Sequence, residues 1–125
     1  MIALIAAAAI GCTRQDDRLR EHREKLESLE ASATAIGESW LAGSASGTFT
    51  TTALEQTFRL VEQERSAVAS TPDALVDPRG AELSQSAERL SRLLAAMMHD
   101  VRAADAPSVR QRMTTIAEAA HAERK

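Results

Sequence analysis

Tyrosine is absent from this 125-residue chain, and aromatics are limited to one tryptophan and two phenylalanines. So few rings offer no platform for stacking bases, which counts against single-stranded nucleic-acid binding. Charge argues the same way. The formal net charge is −3 with both signs interleaved, and no basic patch is present. Cysteine occurs once, at Cys12, so no disulfide framework holds the fold. No C-x-x-C-H motif exists for covalent haem, and no other cofactor motif is found. Glycine numbers 5 and proline 3, and long β-branched runs are missing, which disfavours a β fold.

Much of the 44% apolar content is alanine. Alanine buries little surface and has the highest helix propensity. The composition therefore predicts thin, closely packed helices in one domain.

Residues 1–11 stand apart. Met1 to Ile10 carries no charge, yet about 20 apolar residues are needed to span a bilayer as a helix. The length suits the apolar core of a signal peptide. The run ends in Ala9-Ile10-Gly11-Cys12, which resembles the lipobox of bacterial lipoproteins. It departs from that pattern at Ala9, where leucine is usual, and in lacking basic residues ahead of the apolar run. The resemblance implies cleavage between Gly11 and Cys12 and lipidation of Cys12. It also implies anchoring in the cell envelope, at the outer membrane or the periplasmic face of the inner membrane. It covers only the leader; residues 12–125 are expected to form the domain.

The body reads as amphipathic helices over about 15–42, 52–70, 78–104 and 107–123. The first carries Leu19, His22, Leu26, Leu29, Ala33, Ile36 and Trp40, spaced alternately three and four, which is a heptad seam. Residues 41–47 are rich in Gly and Ser and read as a flexible linker. Thr52 and Glu55 suggest a capping box. The second seam runs through Leu54, Phe58, Val61, Arg65 and Val68. Asp77-Pro78 reads as a cap followed by a first-turn proline. The third seam is Leu83, Ala87, Leu90, Leu94, Met97 and Val101. Pro107 is expected to break or kink the chain before a fourth seam of Val109, Met113, Ile116 and Ala120. The fold class is thus all-α, an up-down bundle of three or four helices. The three-helix version makes the third and fourth helices one kinked rod. With this many seams available, closure within the chain is expected.

Candidate chemistry is sparse. Gly43-Ser44-Ala45-Ser46-Gly47 lacks the central serine of a nucleophile elbow, and no Ser-His-acid arrangement is supported, so no enzyme is expected. In an antiparallel bundle the start of the first helix meets the end of the last. His22, Glu118 and His121 are therefore the candidate metal ligands, although Glu-x-x-His spacing occurs only once. Met97-Met98-His99 has soft-ligand chemistry, but Met97 sits on the seam and is read as core packing near Trp40. The favoured reading is a lipid-anchored adaptor or accessory subunit. Its partners would be the membrane, through Cys12, and another envelope protein. The alternatives are a metal- or ligand-binding periplasmic bundle and a cytosolic coiled-coil subunit.

Overall fold

A computed structural model describes residues 2–71 and 76–123, with side chains from Arg14 to Ala122. Four helices account for nearly all of it: α1 (Ile2–Leu41), α2 (Gly47–Ser70), α3 (Pro78–Arg102) and α4 (Ala106–Glu123). No strand occurs among the described residues. The protein is an all-α up-down-up-down bundle, and the heptad seams are what it buries. Leu19, Leu26 and Ala33 of α1 meet Leu54, Val61 and Val68 of α2. Six α3 residues from Leu83 to Val101 and Val109 and Ile116 of α4 complete the core.

The packing is a flattened diamond. The first and third helices touch across its short diagonal, while α2 and α4 make no contact with each other among the described residues. Gly37 shows why. A methyl group there would lie 2.6 Å from Met113 Sδ of α4 and 3.1 Å from Met97 Cε of α3. A Cβ there would require the flexible ends of these methionines to shift where the three helices converge. This contact places Met97 within a turn of Trp40, as the sequence suggests.

Several boundaries differ from the sequence reading. α1 extends back to Ile2, and α2 begins at Gly47, five residues before Thr52. The capping box at Thr52 does not form. Ser46 is the cap instead: its backbone is extended and its hydroxyl accepts from the Phe49 amide at 3.1 Å. Thr52 lies inside the helix, donating to the Thr48 carbonyl at 2.9 Å, and Glu55 pairs with Arg59 at 2.9 Å. Threonine hydroxyls can turn back on the carbonyl four residues earlier, so this threonine-rich turn stays helical. Residues 42–46 are accordingly a hydrogen-bonded turn and not a flexible linker.

The third and fourth helices are separate, which disposes of the kinked-rod alternative. The break is made by backbone geometry and not by Pro107. The Asp105 amide donates to the Asp100 carbonyl at 2.8 Å and the Ala104 amide to Val101 at 3.0 Å. These are the paired bonds of a Schellman motif, which reverses a chain after a helix. Pro107 sits in the first turn of α4, where its missing amide hydrogen costs nothing. The same motif ends α1, with Gly43 to Trp40 at 3.0 Å and Ser44 to Ser39 at 2.9 Å. The residue forced to positive φ is Gly43 (φ 78°) in one and Ala104 (φ 54°) in the other.

Two aspartates cap the later helices. Asp77 Oδ1 accepts from the Arg79 amide at 3.0 Å. Asp105 accepts from the Ser108 amide at 3.2 Å and hydroxyl at 2.6 Å. The Arg79 side-chain and amide bonds hold the Asp77 carboxyl below its usual 3.8, and the Ser108 bonds do the same for Asp105. Arg79 also reaches Asp16 at 2.6 Å, tying the start of α3 to α1.

Two outcomes follow. Gly43→Ala is expected to destabilise by about 1 kcal/mol, because a Cβ is strained at positive φ, and Ala104→Gly to stabilise by a similar amount; chemical denaturation of both variants checks this. Both carboxyl pKa values are depressed in the fold. Their stabilisation is therefore complete above 3.8 and lost as pH falls through the lower folded values. Asp77→Asn with Asp105→Asn should flatten the acid-side fall in melting temperature and leave its slope near neutrality unchanged.

Candidate functional site

The polar residues that the helices bring together lie on two faces of α1. On the α2 side, His22 Nδ1 lies 2.8 Å from Glu64 Oε2, and both side chains are about 85% buried. A carboxylate only accepts, so the imidazole donates through Nδ1. Lys25 approaches the other oxygen, Oε1, at 3.7 Å from the solvent side. His22 occupies a seam position, so the helical period turns it inward. Glu64 answers it from α2, where Arg65, the seam residue, stays half-exposed and pairs with Glu62 at 3.3 Å.

On the α4 side, α1 and α4 form an open groove of about 460 Å³. Alanines 31, 35, 117 and 120 make its walls, and Glu27, Glu30, Glu38 and His121 its polar lining. Small side chains open the groove because they do not reach across the helix–helix gap. Its chemistry is acidic, suited to cationic groups, and no serine or cysteine lines it.

The structure parts the expected metal ligands. His22 faces α2, His121 lies exposed on the α4 groove, and Glu118 is exposed on the outer side of α4. The cause is register. Gly37 of α1 packs at the level of Met113. Antiparallel counting from that contact puts His121 level with Leu29, seven residues or about 10 Å above His22. No group of three or more His, Cys, Asp or Glu able to hold a metal occurs among the described residues.

Met97 is fully buried, Met98 half-buried and His99 exposed, so the three do not converge. Ser46 is engaged as the α2 cap. Gly11 and Cys12, the residues expected at the cleavage and lipidation point, lie outside the residues whose side chains are described. No described helix is long and apolar enough to cross a membrane.

Three buried polar residues escape sequence reasoning. Glu30 (7% exposed) sits one residue beyond Leu29, where the period allows either fate. Asp100 (5% exposed) receives the Arg112 Nε donor at 3.3 Å, closing the α3–α4 corner. Ser91 is buried, and its hydroxyl finds no acceptor among the described residues. Nothing in a one-dimensional pattern signals a partner on another helix.

The His22–Glu64 bond joins α1 to α2, so its two ends are expected to be energetically coupled. A double-mutant cycle with His22→Ala and Glu64→Ala should return a coupling of about 1 kcal/mol near neutral pH. Additive losses would mean that the two side chains merely fill space.

No family model, curated protein or solved structure matches this chain.

Proposed function

We propose that the chain is a lipid-anchored helical protein of the bacterial cell envelope, working as a non-catalytic adaptor or accessory subunit. The observation that carries this reading is the placement of the single cysteine. Cys12 follows an uncharged apolar run and a small residue, Gly11, an arrangement that resembles the lipobox of bacterial lipoproteins. An exported domain with no second cysteine risks no disulfide mispairing.

The geometry of α1 supports the same reading. Asp16, only four residues after Cys12, is already held by Arg79 of α3. Four helical residues span about 6 Å. A lipid on Cys12 would therefore hold the bundle directly against the bilayer, with the α2–α3 connection at the membrane-facing end. The opposite end, with the α1–α2 turn and the α3–α4 corner, would be presented outward. The adaptor role rests on the surface chemistry: an acidic groove between packed helices, open to a partner. Glu27, Glu30, Glu38 and His121 favour a second reading, a periplasmic bundle that takes a cationic ligand in the α1–α4 groove.

Intact-mass analysis and membrane fractionation of the native protein beside Cys12→Ser test the proposal. The expected wild type starts at a diacylated Cys12 and sediments with membranes, while the variant retains the leader and gains no lipid. Recovery of both forms as soluble chains starting at Met1 would overturn the anchor.

A further inference from the structure

The outward face of α2 is unlike that of any other helix here. α3 exposes Arg79, Glu82, Glu88, Arg89, Arg92 and Arg102. The exposed faces of α1 and α4 are likewise charged, with Arg20, Glu21, Arg23 and Glu24 on one and Arg110 and Glu118 on the other. On α2 the most exposed charges are Glu55 and Arg59, which pair with each other at 2.9 Å, while the partly exposed Glu62 and Arg65 pair at 3.3 Å. Two large apolar side chains stand in the open between them and the helix ends: Phe49 at 66% exposure and Leu60 at 48%.

These two belong to a pattern. Phe49, Ala53, Gln56, Leu60, Gln63 and Ala67 are spaced four, three, four, three and four, all uncharged and all exposed or half-exposed. That is a second heptad seam, displaced by one residue from the inner seam of Leu54, Val61 and Val68 that the bundle buries. A helix with two adjacent seams is built to pack on two sides. The bundle covers one of them only.

We propose that the outer seam of α2 pairs with the same seam of a second copy, antiparallel, about a two-fold axis passing beside Phe58. The seam is self-complementary in that arrangement. Phe49 falls opposite Ala67 of the other copy, Gln63 opposite Ala53 and Gln56 opposite Leu60, so each large side chain meets a smaller or more flexible one. The charges also fit. Arg59 of each copy comes within a turn of Glu55 of the other, so the existing pair can be shared across the axis. Parallel pairing would stack Phe49 on Phe49, leave Ala67 facing Ala67, and set Arg59 against Arg59. Like charges and uneven volumes disfavour it. Glutamine at two seam positions, facing Ala53 and Leu60 of the other copy, lowers the affinity. The surface is independent of the lipid anchor.

The test uses the full chain carrying Cys12→Ser in a mild non-ionic detergent, followed by sedimentation equilibrium. A dimer is expected at about 100 µM chain, and Leu60→Glu should weaken it at least tenfold, as loss of a central interface residue does. Leu60 is half-exposed, so the variant should keep its helical melt, and a circular-dichroism scan verifies this. Association through the apolar leader would be indifferent to Leu60→Glu, and that result overturns the proposal, as does a monomer at this concentration. Orientation is read by disulfide trapping. Gln56→Cys combined with Leu60→Cys should crosslink quickly, because facing Cβ atoms meet the spacing a disulfide needs. Gln63→Cys alone should not; if it does, the pairing is parallel and the arrangement proposed here is wrong.

Discussion

The distance at which α1 passes α3 governs the rest of this bundle. In a square arrangement of four helices the diagonal pairs stand apart. Here α1 and α3 touch, with Gly37 of α1 set against Met97 of α3. Glycine in mid-helix costs about 1 kcal/mol relative to alanine. At Gly37 that cost is set against the packing of two methionines whose side-chain ends would have to move to admit a Cβ. With the short diagonal closed, α2 and α4 stand at the acute corners, and no Cα atoms of the two come within 8 Å of each other among the described residues. The thinness foreseen from an alanine-rich, aromatic-poor composition takes this form. A diamond also has more surface per residue than a square, so α2 and α4 each leave a broad flank uncovered.

The helical period was enough to identify the core. Leu83, Ala87, Leu90, Leu94, Met97 and Val101 are all buried, as their spacing requires, and Asp77-Pro78 starts α3 where the two residue types say it should. Polar placement was less legible. His22 sits on the seam and is indeed turned inward, but its partner comes from position 64, and no local signal connects the two. The expected meeting of His22 with His121 assumed helices in level register. The register of α4 is instead fixed by a glycine–methionine contact invisible in the sequence. Chain punctuation misled in a different way. Thr52 and Pro107 were read as boundaries by residue type, yet the boundaries belong to Ser46 and to a backbone motif around Ala104. Several residues offered a competent cap, and tertiary packing selected among them.

Polar bonds also tie the helices to one another. His22–Glu64 joins α1 to α2, Arg79–Asp16 joins α1 to α3, and Asp100–Arg112 joins α3 to α4. The rest of the interior is mainly apolar, with Glu30, Thr50, Thr57 and Ser91 as buried polar residues. Alanine seams of similar width can slide past one another with little change in buried area. Paired charges between helices oppose such sliding, since a shift of one turn would strand a half-buried carboxylate without its donor. They contribute to uniqueness of register more than to total stability.

The uninterrupted α1 has a mechanical consequence. It runs unbroken from Ile2 to Leu41, and the part from Cys12 onward that the proposed processing would leave is 30 residues, about 45 Å, entering the bundle without a hinge. A pull on its first turn acts along the helix axis. The load is carried in shear by the contacts with α2, α3 and α4 together. A pull applied across the axis would peel one neighbour away at a time. Shear loading spreads force over many contacts that must fail at once, so a tether at this end would resist extraction far better than one at the short α4. The stiffness also fixes direction: a rod continuous with the bundle transmits tilt as well as tension, and whatever holds the first turns of α1 sets the angle at which the whole protein stands.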